Sequence, residues 1–207
     1  MIVAPAISRA TVVYSNLGVG NSSNIDGNVV GNDLAADNLA QADTFTPAAN
    51  YTLTNVQLAL SCPVAGTCPD NYTVEILSDL AGFPNTSSVL FSASEAGTAL
   101  LGASTTSLVT IPTTISVLSG VSYWIVVLNP SGNDRIQWNW NTKGDASAEA
   151  TAFAGGGLGD TYYELGSTPN AYAVNGTVVT SSTPEPGTLA MMLGGGLLLG
   201  FLRKVRR

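Results

Sequence analysis

The 207-residue chain contains no histidine and only two cysteines. Histidine is the usual general base, the usual partner of serine and cysteine nucleophiles, and the commonest zinc ligand. Its absence argues against these catalytic and metal sites, and a structural zinc site would have to be built largely from carboxylates. The composition therefore favours a protein that is not an enzyme and that has no cofactor.

Charged residues are also scarce, at 10% of the chain, and the basic ones are unevenly placed. Four of the seven basic residues, Arg203, Lys204, Arg206 and Arg207, lie in the last five positions. Before Thr183, three basic residues face thirteen acidic ones, a net charge of −10. Nucleic-acid binding depends on lysine and arginine meeting phosphates, so we expect no nucleic-acid partner. Cations or neutral polymers are the more natural partners.

The middle of the chain is rich in glycine, serine, threonine and asparagine, with β-branched residues throughout, which favours strands and turns. Apolar residues alternate with polar ones in two segments, and residues 123–128 are apolar on both faces, which predicts a central strand. About eight short strands, with turn signals between them, predict an all-β antiparallel sandwich of jelly-roll type over residues 11–180. The alternating residues are Val56, Leu58 and Leu60 in one strand and Tyr72, Val74 and Ile76 in another.

The two cysteines, Cys62 and Cys68, flank a five-residue turn that contains Pro63 and Gly66. This spacing brings the sulfurs together, and an isolated pair in an exported chain usually forms a disulfide. Free thiols are the alternative if the chain stays in a reducing compartment. The C-x-x-C spacing of a redox site is absent.

The C-terminal segment, residues 181–207, begins with a Ser-, Thr- and Pro-rich linker and ends in the basic cluster. Between them, residues 187–202 form an uncharged and mostly apolar run of sixteen, short for a membrane helix. A basic end should stay on the cytoplasmic side and place the body across the membrane. The alternative is a buried C-terminal helix of a soluble protein. The predicted span includes Gly187, Leu193, Leu198 and Leu202.

The tripeptide Pro184, Glu185 and Pro186, followed by the apolar run and the basic end, closely resembles the PEP-CTERM sorting signal of Gram-negative bacteria. In that family the tripeptide is recognised by exosortase, a membrane-embedded cysteine transpeptidase that passes the body to an extracellular acceptor. The resemblance implies an exosortase substrate, held first in the inner membrane and then at the cell surface or in the extracellular matrix. It also implies an association with exopolysaccharide or biofilm matrix.

The first ten residues, MIVAPAISRA, have no basic n-region and too short an apolar stretch for a complete signal peptide. We interpret residues 1–10 as the remnant of a signal peptide whose start lies upstream, or as a disordered N-terminus. An unusual export route is the alternative.

The body has a family resemblance of its own, carried by YTVEILSDLAGFP, LSGVSYWIVV and WNWNT together with neighbouring segments. Over residues 11–180 it is similar to the exported bacterial domain called choice-of-anchor, R type. That family joins one body to alternative C-terminal anchors. The resemblance implies no catalytic residues.

Trp138 and Trp140 lie two residues apart and so on one face of a strand, with Gln137, Asn139 and Asn141 opposite. If exposed, the two indoles could stack on sugar rings, which would make the body a carbohydrate-binding module. The alternative is an ordinary sandwich strand with its apolar face in the core.

A loop before residue 38 concentrates oxygen ligands that suit calcium. The candidates are Asn24, Asp26, Asn28, Asp33 and Asp37. Solvated turn residues are the alternative, because turns use asparagine, aspartate and glycine in any case.

A secreted hydrolase is a further alternative, since glycoside hydrolysis needs two carboxylates at one bond. The candidates are Glu75, Glu95, Glu149 and Glu164, and the alternation of its strand predicts that Glu75 points outward. None has a distinctive setting. We therefore expect an exported, non-enzymatic surface or matrix protein.

Overall fold

A computed structural model describes residues 10–32, 38–63, 68–69, 71–100, 105–129, 134–144, 149–152, 162–164 and 168–180. Within these ranges the chain forms thirteen strands and two short 3-10 turns, Val19–Asn21 and Gly97–Ala99. The strands are β1 Thr11–Ser15, β2 Gly27–Asn32, β3 Asn38–Phe45, β4 Tyr51–Ser61, β5 Asn71–Leu80, β6 Phe83–Ala96, β7 Ser107–Pro112, β8 Ser116–Val117, β9 Tyr123–Leu128, β10 Arg135–Asn139, β11 Glu149–Ala152, β12 Tyr162–Glu164 and β13 Tyr172–Val178.

The described strands pair antiparallel and form two layers, so the expected all-β antiparallel fold is confirmed. In the first sheet β1 pairs with β13, and β13 pairs with one edge of β4. β10 pairs with the last two residues of β4 on that same edge, and β2 pairs with β10. β7 and β8 pair with the opposite edge of β4. The second sheet has the order β6-β5-β9-β3-β11-β12. Short pairing of β2 with β3 links the two sheets into a sandwich-like arrangement.

The main core fills the space between the two sheets. Val56, Leu58 and Leu60 of β4 all point into it, as their alternation predicts. The second sheet contributes a matching set from β5, namely Tyr72, Val74 and Ile76. Burying each such apolar side chain contributes about 1.5–3 kcal/mol, so packing at this interface stabilises the body.

The centre of the second sheet is buried on both faces. Every residue of β9 is buried, and β9 lies between β3 and β5, which confirms the predicted central strand. The face turned away from the main core carries its own apolar cluster, which we call the far-face cluster. Its members are Ala40, Ala42, Leu77, Trp124, Val126 and Leu128.

The hairpin of β11 and β12 explains how a face turned away from the core is buried. Four strands separate β12 from β6 in the order of the sheet, yet β12 lies beside β6. The second sheet therefore curls so that its far face lies on the inside of the curve. This feature has no local signal in the sequence, because it depends on pairing between distant strands.

Two glycines allow β2 to lie close to its neighbours. A Cβ atom at Gly27 would lie 2.1 Å from the carbonyl oxygen of Trp138 on β10. Gly31 has φ 97°, a conformation that L side chains rarely adopt, and its Cβ position is 2.3 Å from the carbonyl oxygen of Asp134. A side chain at either position would push β2 away from β10.

The parts of the chain predicted to carry the export signals lie outside the described residues. These are residues 1–9 and 181–207, including the sorting tripeptide and the basic end. Across the described ranges there is no helix with the length and hydropathy needed to cross a bilayer, and the expected span at 187–202 is not among them.

Candidate functional site

Trp138 lies in the main core with no exposed surface. Its indole Nε1 donates to the backbone oxygen of Ala171 at 3.0 Å, and its ring meets Tyr172 edge to face at 6.0 Å between centroids. The two tryptophans therefore do not form an exposed stacking platform for sugars. For Trp138 the alternative interpretation, a core position on a sandwich strand, is the one that the structure shows.

Trp140 is half-buried and starts a directional chain of hydrogen bonds. Its Nε1 donates to Asn28 Oδ1 at 3.2 Å, and Asn28 Nδ2 donates to Asn170 Oδ1 at 3.1 Å. Asn170 Nδ2 then donates to Asp43 Oδ2 at 2.6 Å. An indole N–H can only donate and a carboxylate can only accept, so the two ends fix the orientation of both amides. We call this chain the polar relay.

If Trp138 faces the core, alternation predicts that Asn139 and Asn141 lie on the outer face of their strand, yet both are buried. Asn139 Nδ2 donates to the backbone oxygen of Ile25 at 2.7 Å, and Asn141 Nδ2 donates to that of Pro169 at 3.0 Å. The loops that precede β2 and β13 cover this face and need donors for their carbonyl groups. The expectation was wrong because alternation within one strand says nothing about which loops cover it.

The candidate calcium ligands do not come together in the described part of the chain. Asn24 and Asp26 are exposed, and Asn24 Oδ1 accepts the backbone N–H of Asp26 at 3.2 Å, which is an ordinary asparagine turn. Asn28 instead belongs to the polar relay. Asp33 and Asp37 lie outside the described residues. Among the described side chains no group of three or more acidic, cysteine or histidine ligands is present.

The predicted disulfide between Cys62 and Cys68 is confirmed, with a Cα–Cα distance of 5.6 Å. Cys62 follows the last residue of β4 and is fully buried, and Cys68 packs against the main core. The bond therefore attaches the turn after β4 to the body. A loop of this length is worth about 2.4 kcal/mol on the chain-entropy model.

Glu75 is only 6% exposed, which corrects the expectation that it points to solvent. It does face away from the main core, but the curl of the second sheet covers that face. Its Oε1 accepts a hydrogen bond from Ser92 Oγ at 3.0 Å, and its Oε2 is buried with no hydrogen-bond partner. Burial raises the pKa of the Glu75 carboxyl, and the hydrogen bond from Ser92 offsets part of this rise.

The other candidate carboxylates do not complete a hydrolase site with Glu75 among the described side chains. Glu95 pairs with Tyr72, which faces the main core, so Glu95 lies on the opposite face of the sheet from Glu75. Burial of Tyr72, with a smaller contribution from the charge of Glu95, raises the pKa of this tyrosine. The side chains of Glu149 and Glu164 lie outside the described set.

No protein-family model matches the chain, and no curated protein sequence matches it. Two solved structures of Cwp84, a surface layer associated protein of Clostridium difficile, are distantly similar. The structure of its cysteine protease and lectin-like domains is 14% identical, with a TM-score of 0.45, and the match covers 73% of this chain and 36% of that chain. The protease after propeptide cleavage is 15% identical, with a TM-score of 0.45, and the match covers 72% and 37%. These similarities carry no argument about function.

Proposed function

We propose that this protein is an exported, non-enzymatic component of the cell surface or extracellular matrix. In this proposal a β-sandwich body of jelly-roll type is displayed after delivery by the C-terminal tail. The tail halts in the inner membrane at residues 187–202, exosortase recognises Pro184, Glu185 and Pro186, and the body passes to the outside.

The observation that carries the proposal is the way the chain leaves the body. Its last described backbone hydrogen bond runs from Val179 N to the oxygen of Asn50 at 2.9 Å. Val178 and Val179 are 44% and 49% exposed, so the chain reaches the surface immediately before the tail. The tripeptide follows only five residues after Val179. Its two prolines disfavour helix, which would keep the motif extended and accessible to a protease-like partner.

The disulfide gives independent support for export. Disulfides persist in oxidising compartments such as the periplasm and the extracellular space, and they are rare in the reducing cytosol. Both cysteines of the chain are used in this one bond. A body that acquires its bond after crossing the inner membrane would have no free thiol to shuffle.

Replacing the sorting tripeptide at the native gene tests the proposal. The triple variant Pro184→Ala/Glu185→Ala/Pro186→Ala should keep its tail and accumulate in the inner membrane. A matched variant in the linker, Ser181→Ala/Ser182→Ala, should reach the surface or matrix like the unaltered protein. Fractionation with an antibody to the body measures both. If the tripeptide variant reaches the matrix in normal amount and with normal mass, the proposal is wrong.

A further inference from the structure

One end of the sandwich is the place where the chain leaves the body for the tail, and we call it the tail end. In the first sheet it is marked by Val178 of β13, which pairs with Tyr51, the first residue of β4. Two short connections, residues 46–50 and 118–122, cross between the two sheets at this end. The tail end is therefore built from turns that the structure describes.

Asn50 joins the parts of the tail end to one another. Its side-chain Oδ1 accepts the backbone N–H of Ser119 at 2.9 Å, and its backbone oxygen accepts that of Val179 at 2.9 Å. The backbone N–H of Leu118 donates to the hydroxyl of Tyr123 at 2.9 Å. The turn after β8 is therefore held beside the point at which the chain leaves the body.

Six large apolar side chains are exposed at this end, each with between 38% and 61% of its surface open to solvent. They are Leu80, Phe83, Leu118, Val121, Val178 and Val179. Val121 lies two residues before Tyr123, and Leu80 lies two residues after Ser78, the partner of Tyr123 in β5. Phe83 pairs with Leu80 across the β5–β6 turn. Groups of exposed apolar residues of this kind mark contacts with a membrane or with another protein.

The turns of the tail end are uncharged, although the body is acidic. No charged residue occurs in residues 46–50, 81–82, 118–122 and 179–184. Asp79 lies close to the β5–β6 turn, and its two carboxylate oxygens accept hydrogen bonds from Trp124 Nε1 at 2.8 Å and from Gly82 N at 3.2 Å. A chain with a net charge of −10 before Thr183 is repelled by anionic lipids, and the repulsion is weakest where the turns are uncharged.

The linker holds the tail end close to the predicted membrane span. From Thr180, the last described residue, to Gly187, the first residue of the apolar run, there are seven peptide steps, which reach at most about 25 Å when fully extended. β4 is eleven residues long, so the opposite end of the sandwich lies about 35 Å farther along the strands. Of the two ends, the tail end is the one that the linker places at the bilayer.

We propose that the tail end rests on the outer surface of the inner membrane while the tail spans it, with the six exposed apolar side chains in the interface between headgroups and acyl chains. This inference rests on the proposed function, because the tail supplies the attachment. Binding at this interface grows with the apolar area that enters it. The tail already holds the body at the membrane, so the contact is intramolecular and a modest apolar surface is sufficient.

Photocrosslinking of the full chain in lipid vesicles tests this inference. The vesicles contain phosphatidylcholine and phosphatidylglycerol, with a trace of phosphatidylcholine that carries a diazirine near the glycerol end of one acyl chain. Peptide mass spectrometry then locates the labelled residues. We expect the six residues of the tail end to be labelled about tenfold more than Val19 and Leu108, which are also exposed and apolar. Leu108 pairs with Ala59 toward the opposite end of β4, and Val19 follows the end of β1.

Two double variants complete the experiment. Leu118→Ser/Val121→Ser should lower the labelling of the rest of the tail end by about tenfold, because two of the six side chains no longer favour the interface. Val19→Ser/Leu108→Ser removes the same kind of exposed apolar surface elsewhere on the body and should leave that labelling unchanged.

Labelling of residues 187–202 in the same samples reports whether the tail is in the bilayer. If these residues are labelled but the tail end is labelled no more than Val19 and Leu108, the inference is overturned and the proposed function stands, whether a second copy or another protein covers that surface. Normal labelling of Leu118→Ser/Val121→Ser also overturns it. Should that variant fail to fold, the distribution of label on the unaltered protein still decides. No label at residues 187–202 would overturn the proposed function, and this inference with it.

Discussion

Asn170 donates a hydrogen bond of 2.6 Å to the buried carboxylate of Asp43, across 127 residues of sequence. The same asparagine accepts from Asn28 through Oδ1, and its backbone oxygen accepts from Asn16 Nδ2 at 2.7 Å. It thus joins the segment before β13 to β2, β3 and the segment after β1. Through its side chain and its backbone oxygen, this one residue connects four parts of the chain, and the two sheets are linked at this point.

Replacing Asn170 should lower the free energy of unfolding of the body more than the loss of one small polar side chain usually does. Asn170→Ala removes a donor to a buried charge and an acceptor of the polar relay, so we expect the free energy of unfolding to fall by about 2–3 kcal/mol. Urea unfolding of the oxidised protein measures it. Asn24→Ala, at an exposed turn, is the matched control and should cost about 0.5 kcal/mol or less. If Asn170→Ala and Asn24→Ala lose the same free energy of unfolding, the polar relay does not stabilise the body.

The disulfide should contribute a modest and measurable stability. Cys62→Ala/Cys68→Ala is expected to lower the free energy of unfolding by about 2.4 kcal/mol, because the unfolded chain regains the entropy of its seven-residue loop. Adding a reductant to the unaltered protein should produce a similar loss, and it should not affect the variant. If the reductant lowers the free energy of unfolding of the unaltered protein and of the double variant equally, the disulfide is not responsible for the loss.

The buried carboxyl of Glu75 should make stability fall as the pH rises. Its pKa is raised above the ordinary 4.5, so the folded protein keeps a proton that the unfolded chain loses. The contribution of the protonated Glu75 carboxyl to the free energy of unfolding is fully present below pH 4.5. It is lost as the pH rises through the raised pKa of the folded state. Glu75→Gln should remove this decline and stabilise the protein near neutral pH by about 1–2 kcal/mol.

Urea unfolding at a series of pH values measures this effect, and Glu95→Gln is the control for removing one acidic residue. The control should keep the decline, since Glu75 is intact. If Glu75→Gln shows the same decline as the unaltered protein, the carboxyl is not responsible for it.

The two tryptophans should differ in their effect on folding. Trp138→Ala leaves a cavity in the main core and removes the indole hydrogen bond to the Ala171 carbonyl, and should cost about 3–5 kcal/mol. Trp140→Ala loses one hydrogen bond and a half-buried ring, and should cost less. Unfolding measurements compare them directly. A smaller loss for Trp138 than for Trp140 would contradict its placement in the core.

The sequence predicts the parts of the fold that depend on local periodicity. The alternation in β4 and β5 and the apolar run of β9 each identify a strand and the direction of its side chains, because these patterns reflect burial of one face or of both. The spacing of Cys62 and Cys68 likewise identifies their bond. These features involve residues close together in the sequence.

What the sequence does not predict depends on elements that are distant along the chain. Asn139 and Glu75 have polar side chains that suit an outer face, and both are buried because loops or a curled sheet cover them. The polar relay has the same origin, since its four members lie on separate elements. The alternation of a strand separates its two faces, but it does not say whether the second face is covered.

The central claim, delivery of the body by a C-terminal sorting tail, is tested most directly by the mass of the mature C-terminus. The protein should be isolated from its native host in the presence and absence of exosortase and analysed by intact and peptide mass spectrometry. We predict a C-terminus truncated near Pro184, Glu185 and Pro186 when exosortase is present, and the complete tail ending in Arg207 when it is absent. A complete tail on cytosolic protein in both strains would contradict the account.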